Sequence, residues 1–356
     1  MANQVLYGFV NLKDVYNQRI DDVGVQVVND AIDATFVEHN RQLNAVMSLF
    51  VDPTTEYKVR YRTPTAARLQ PLDENGRARP IKMAGYYDIA FPLQDAGTAW
   101  GQTYKASKKM TVAEAANIVN TLLTADKRWM RDHVLAALFA NSSWTFSDEQ
   151  HGSLTIKGLA NSDTDTYLIQ AGTDAGATDT HYLAQANAID NSNDPFGTIY
   201  DELTEHPENS GDVVVFLPTG LKATTMGLSA FYPLSDPNLN PGVATTTVRG
   251  ALGVQLPGTL FGYHEAKVWL AEWKALPAGY MVGVMTGGPR SLAMREEPEA
   301  SLRGFNRVAE RNDHPFYESQ YLRTAGFGAQ NRVGAVVYRV GNGAYAVPTN
   351  YTSPMA

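Results

Sequence analysis

The chain has 356 residues, 44% hydrophobic and 19% charged, the composition of a folded protein with a sizeable core rather than a disordered one. Its 29 basic and 37 acidic side chains leave a formal charge of −8, which argues against coating nucleic acid through a basic surface. Cysteine is absent, excluding disulfides, thiolate metal sites and a cysteine nucleophile, and no apolar run approaches the ~18 residues a membrane span needs.

The opening MANQVLYGFVN has no basic n-region, so no secretory signal is expected. Residues 1–22 show no sustained period and read as an extended arm with one short turn. Over 23–50, Val27, Val28, Ile32, Phe36, Leu43, Val46, Met47 and Phe50 fall near one stripe, predicting an amphipathic helix that ends at Asp52-Pro53. Residues 55–104 change character. EYKVRYRT alternates polar with aromatic and β-branched residues; Pro71, Asn75-Gly76 and Pro80 then mark a tip, and GYYDIAFPLQDAGTAWGQTY reads as a return strand. A two-stranded ribbon of this length cannot bury a core of its own, so it needs a partner elsewhere in the chain or in another subunit. Arg60, Arg62, Arg68, Arg77, Arg79 and Lys82, opposite Asp73, Glu74 and Asp88, suit a polar interface; a solvated charged hairpin would show the same residues.

Lys105, Lys108 and Lys109 precede a helix start, where cations oppose the helix dipole, and so hint at an anionic partner. The pattern over 111–140 is the longest helical one in the chain, free of Pro and Gly, with Thr111 and Glu114 spaced as a capping box. It would span roughly 45 Å. Its apolar stripe from Ile118 to Leu138 is expected to bury against closing strands over 333–338. Residues 142–198 are polar, with short strands such as 153–158 between turns; Asp163, Asp165, Asp174, Asp179, Asp190 and Asp194 do not follow an EF-hand spacing and read as turn-forming acids rather than a metal site. From residue 198 the pattern is α/β. TIYDELTEHP reads as a helix, GDVVVFLP as a buried strand and TGLKATTMGL as a short helix, while TTTVRGALG and the segments after it give a helix and further strands. Residues 287–325 mix both charge signs, including Glu296, Glu297, Arg303, Arg307, Glu310, Arg311 and Arg323, as a segment that pairs with complementary charge does. RVGAVVYRVGNGAY closes as a strand, a turn and a short return.

No catalytic pattern emerges. The seven histidines include no H-E-x-x-H, and His264-Glu265 and the Glu38-His39 pair lack a second ligand at helical spacing; His133 reads as a packed or hydrogen-bonded residue. There is no G-x-S-x-G elbow, no Walker motif, and the Gly326-Phe327-Gly328 run lacks the third glycine of a dinucleotide fingerprint. No catalytic residue, cofactor or metal is assigned.

The order of parts, with the segments 273–280 (WKALPAGY), 287–295 (GGPRSLAMR) and 326–338 (GFGAQNRVGAVVY), resembles the tailed-bacteriophage major capsid protein of the Hong Kong 97-type fold. The resemblance covers essentially the whole chain, through order and style rather than one diagnostic motif. It implies an α+β fold with an N-arm (1–54), an extended E-loop ribbon (55–105), a P domain (106–159) with its spine helix at 111–140, an A domain (160–286), and a P-domain return with the C-terminus (287–356). It implies a non-enzymatic subunit that self-assembles as hexamers and pentamers into an icosahedral virion shell, built in the host cytoplasm around the phage genome. A separate scaffolding protein and a portal are the expected partners, with room for a decoration protein, weak non-specific contact with packaged DNA and no membrane. Arg60, Arg62, Arg77, Arg79, Glu296, Glu297, Arg303, Arg307, Glu310 and Arg311 are the candidate inter-subunit contacts. Some relatives join an E-loop Lys to a P-domain Asn with help from a Glu; Lys82 and Asn331 are the pair that would match, and a chain without the bond is expected. The rival readings are an encapsulin-like nanocompartment shell, and a soluble α/β enzyme with its ribbon folded back on its own body.

Overall fold

The capping box sets where the longest helix begins. A computed structural model describes residues 6–62, 69, 71–78, 86–170, 175–234, 256–313 and 316–352. In it, Thr111 Oγ1 accepts from the Glu114 amide at 3.3 Å and the Glu114 carboxylate accepts from the Thr111 amide at 2.9 Å. Two of the four orphan donors at the helix start are thereby satisfied.

Ahead of that helix, Tyr7–Val15 forms a 3-10 turn, followed by α1 (Ile20–Val23) and α2 (Val25–Met47). Gly24, at φ 106°, separates the two, so the main helix starts two residues later than its apolar stripe suggests. The strands β1 (Val51–Thr54), β2 (Lys58–Arg62), β3 (Tyr86–Ala90) and β4 (Gln94–Thr103) follow, then α3 (Tyr104–Ser107) and the 28-residue α4 (Val112–Phe139). Next come β5 (Trp144–Asp148), β6 (Gly152–Ile156), β7 (Tyr167–Ile169), β8 (Ala175–Ala177), β9 (Tyr182–Gln185), α5 (Phe196–Thr204), β10 (Ser210–Leu217) and α6 (Thr219–Met226). The rest is β11 (Phe231–Pro233), β12 (Thr259–His264), β13 (Val268–Glu272), β14 (Tyr280–Gly287), β15 (Leu292–Arg295), β16 (Phe305–Asp313), β17 (Phe316–Ala329) and β18 (Ala335–Val340).

One sheet runs β1-β15-β17-β16, with β4 also on β17; a seven-stranded sheet runs β11-β12-β13-β10-β14-β18-β9. Val213, Val214, Val215, Phe216 and Leu217 of β10 are all buried, as expected of a strand covered on both faces. The largest core joins the second half of α4 to both sheets, through Met130, Val134, Leu138 and Phe139 against Phe50, Phe216, Trp273, Phe327 and Val337. A second core holds Phe9, Val28, Ile32 and Phe36 against Val112, Ala115, Val119, Leu122 and Leu123. Among the described residues no helix is long and apolar enough to cross a membrane.

Four expectations change. Of the arm expected over 1–22, residues 6–22 are not simply extended: Phe9 and Leu12 are buried against the chain's own α2, and the Gly8 amide donates to Thr35 Oγ1 at 3.1 Å. Gly8 permits this closeness, since a Cβ there would sit 1.9 Å from the Ala31 carbonyl oxygen. The return strand of the ribbon is broken. β3 pairs with β2, but β4 pairs along its whole length with β17, from Gln94 opposite Ala325 to Thr103 opposite Phe316. Pro92 lies at the break; without an N–H it cannot extend the ladder. The apolar stripe of α4 meets the closing strand 335–340 only through its second half, because residues 112–123 face the N-terminal segment instead. Finally, among the described residues no strand returns after β18. Gly341, at φ 85°, turns the chain away, and β18 pairs with β14 and β9. The helix or strand reading of TTTVRGALG (245–253) lies outside the described residues.

Candidate assembly surface

Among the described residues β2 and β3 pair only with each other. Across them Asp88 accepts from Arg60 Nε and lies beside Lys58 Nζ, each at 2.7 Å. The hydrogen bonds from Arg60 and then Lys58 hold this carboxyl well below its usual range. The Arg60 guanidinium also sits 4.2 Å from the centre of the Tyr86 ring. Arg62 stands opposite Tyr86 in the ladder. The expected turn is present: Asp73 Oδ1 accepts from the amides of Asn75 and Arg77 at 2.9 and 2.7 Å, with Gly76 at φ 72°. Beside it the large apolar side chains of Leu69 and Leu72 are 100% and 62% exposed. Arg77 is exposed, and Arg68, Arg79 and Lys82 lie outside the described residues.

The second group of candidates surrounds the start of β16. Arg303 donates to the carbonyls of Glu297 and Pro298 at 2.7 and 2.6 Å and so closes a loop. Burial pushes the Glu296 carboxyl up against the opposing pull of Arg303 and Arg323. Arg307 pairs with Asp33 of α2 at 3.2 Å and with Glu310 at 3.6 Å. Arg311 stands opposite Glu318 in the β16–β17 ladder. These residues do not gather into one cluster; they edge two different sheets. Lys108 pairs with Asp21 at 3.0 Å, which supplies an anionic partner within the chain.

The structure also shows ionic residues that sequence reasoning passed over. Asp126, in the middle of α4, is buried between Arg323, which donates to both its oxygens, and His39, whose Nε2 lies 2.6 Å from Oδ2. Burial would raise this carboxyl, and the bonds from His39 and Arg323 outweigh it and leave it below its usual range. Arg332 is buried with donors to the carbonyls of Gly158 and Leu159 and to Asp163 and Asp165. Arg295 bonds Asp148 Oδ2 at 2.7 Å and the Phe91 carbonyl at 3.1 Å. Arg323 carried a signal in the charge-mixed segment; Asp126, placed between apolar residues of a helix, carried none.

Asn331 is buried, its amide donating to Asn209 Oδ1 and the Pro289 carbonyl at 3.0 and 3.3 Å. His133 Nδ1 bonds the Trp129 carbonyl at 2.9 Å, a helix-internal contact. Of the six aspartates considered for a cation, Asp163 and Asp165 meet Arg332, Asp190 and Asp194 cap local turns, and Asp174 lies outside the described residues. Asp179 differs: it converges with His181 and His206 in one group, and with Glu202 and Glu205 in another, whose ligand atoms lie within 4.8 Å of one another.

No protein-family profile and no curated protein sequence matches the chain. Solved structures do. A chain of Mycobacterium phage Patience is 18% identical with a TM-score of 0.69, covering 96% of each chain. A chain of the mature capsid of bacteriophage PhiM1 is 9% identical with a TM-score of 0.50, covering 82% of this chain and 84% of that one. The chain therefore has the α+β Hong Kong 97-type fold.

Proposed function

We propose that the chain is a phage capsid-shell subunit, non-enzymatic, that associates with its own copies as hexamers and pentamers around the viral genome. The observation that carries this reading is a fold shared over 96% of both chains with a phage protein. The ribbon supports it: among the described residues no third strand extends the β2–β3 pair, whose base packs on the chain's own core through Ile89 and Ala90, while Leu69 and Leu72 near the turn are exposed. In this reading 1–54 is the N-arm, 55–105 the E-loop, 106–159 and 287–356 the P domain, and 160–286 the A domain. Arg60, Arg62, Arg77, Arg79, Glu296, Glu297, Arg303, Arg307, Glu310 and Arg311 then set register between neighbours, as rim charges do, rather than supplying the bulk of the affinity. A separate scaffolding protein and a portal complete the head, a decoration protein has room on its outside, and DNA contact is weak and non-specific.

Negative-stain microscopy of the expressed chain, alone and with a scaffolding protein, tests this. Closed shells are expected. Shells that enclose protein cargo and never nucleic acid would move the reading to a nanocompartment. A compact monomer in solution scattering under every condition would overturn it. Denaturing electrophoresis of boiled particles is expected to show one band at 38.9 kDa. A ladder of higher species would revive a Lys82–Asn331 cross-link.

A further inference from the structure

Two buried imidazoles face each other where the segment before β9 meets the end of α5. His181 and His206 are 0% and 2% exposed, and their Nε2 atoms are 3.2 Å apart. Both point at the same oxygen, Asp179 Oδ2, at 2.8 and 2.9 Å. On the far side of each ring Nδ1 meets a backbone carbonyl, Ala335 at 2.8 Å for His181 and Leu168 at 3.0 Å for His206. A carbonyl only accepts, so each Nδ1 carries a proton, and a ring in its neutral form presents a bare lone pair at Nε2. With both rings neutral, three lone pairs converge on one point, an arrangement that repels unless a proton or a metal ion stands among them.

The surroundings are those of a metal site rather than of a chance contact. Metal-ligating histidines characteristically fix their other nitrogen on a carbonyl or carboxylate, which sets tautomer and orientation. Both rings do so here. The Thr180 amide donates to the other oxygen of Asp179 at 2.7 Å, leaving Oδ2 free to face the rings. A tetrahedral ion bound at about 2.0 Å separates its ligand atoms by roughly 3.3 Å, so the observed 2.8, 2.9 and 3.2 Å would open by a few tenths of an ångström around it. Glu205 Oε1 lies 3.7 Å from His206 Nε2, outside the tight Asp179–His181–His206 group, so a rotation of its side chain would bring it in as a fourth ligand, and it is 32% exposed, which gives an ion a way in. Glu202 hydrogen-bonds to Asp179 from one turn earlier on the helix. Imidazole with carboxylate, and no thiolate, suits a borderline transition cation better than calcium or magnesium.

We propose that Asp179, His181 and His206, completed by Glu205, bind one divalent transition cation of the zinc class. The ion would tie together β7, β18, the segment before β9 and the end of α5, elements that otherwise meet through hydrogen bonds and packing. The proposal stands on the single chain and is independent of shell formation.

The untagged full chain, stripped with a chelator and dialysed against Zn²⁺, is expected to retain about one ion per chain. Its melting midpoint should rise by several degrees, since the ion binds the folded state in preference to the unfolded one. Co²⁺ should give the intense visible bands of a tetrahedral site. His206→Ala should abolish retention, and Glu205→Gln should weaken it about 10- to 100-fold. If His206→Ala does not fold, Asp179→Asn serves, since it keeps the side-chain size and the Thr180 contact. Retention below about a tenth of an ion per chain, or folded variants that bind as tightly as the parent, would overturn the proposal. The imidazole pair would then be held by a shared proton.

Discussion

The two halves of α4 belong to different cores. Residues Val112, Ala115, Val119, Leu122 and Leu123 pack on the N-terminal segment, on Phe36 of α2, and on Phe305 and Tyr321. Residues Met130, Val134, Leu135, Leu138 and Phe139 pack on the sheets. Between them sits Asp126 with Arg323 and His39, a buried ionic junction. Asn40 extends that junction to β16, its side chain exchanging hydrogen bonds with the amide and carbonyl of Phe305 at 2.9 and 3.2 Å. One continuous apolar stripe thus serves two masses of protein, and the polar residue that interrupts it binds them to each other. The helix is therefore a coupling element as well as a strut.

The largest effect is expected at the junction. Arg323→Leu or Asp126→Leu alone leaves a buried charge without its partner and should cost about 3–5 kcal/mol in chemical denaturation of the unassembled chain. The pair Asp126→Leu with Arg323→Met should recover most of that loss. Single variants costing under about 1 kcal/mol would mean that water already reaches the junction. Phe36→Ala comes next. Its ring lies 5.4 and 5.2 Å from those of Phe305 and Tyr321, and its loss should cost about 3–5 kcal/mol. Hydrogen exchange should then quicken over 112–123 while 130–139 stays protected. Leu135→Ala, at about 2–5 kcal/mol, should quicken both halves, since its core carries the sheets. Equal responses to the two variants would erase the distinction.

Acid should act through the same junction. Asp126 and Asp148 both lie below the usual carboxyl range in the folded chain, burial being outweighed by Arg323 with His39, and by Arg295 with His151. A depressed folded value contributes stability that is present above the unfolded value and is lost as pH falls through the folded one. Unfolding free energy should therefore drop as pH is lowered below about 4, and Asp148→Asn should flatten part of that slope. Thr111→Ala is a smaller perturbation, about 1 kcal/mol, confined to fraying at the first turn of α4.

How much of this was legible follows from what each signal depends on. The cap, the span of α4, the buried β10 and the turn at Asn75-Gly76 depend on neighbours in sequence, and all are present. The division of α4 between two cores depends on where 6–36 folds back, and periodicity carries no information about which surface covers a stripe. The partner of β4 is not legible locally: a hairpin is the nearest pairing, whereas Pro92 breaks the ribbon and frees β4 for a strand more than two hundred residues later. His181 and His206 are 25 residues apart, with Asp179 two before the first. No short motif spans that distance, and the fold alone brings them together.

The smallest effect on the isolated chain should come from its charged edges. Arg307 pairs with Asp33 and Glu310 at a partly open site, and such pairs are worth ~0–1 kcal/mol each. Arg303 contributes two hydrogen bonds to backbone carbonyls across an exposed loop. The double variant Arg303→Glu with Arg307→Glu should therefore unfold within about 1–2 kcal/mol of the parent, far less than the loss at the Asp126 junction. If these residues face a neighbouring copy, the same variant should stay folded and fail to form shells, because like charges set against each other across an interface are costly. Normal shells would remove both arginines from the contact and leave the ribbon to carry it. A folded chain that does not assemble would separate the residues that hold one subunit together from those that hold two.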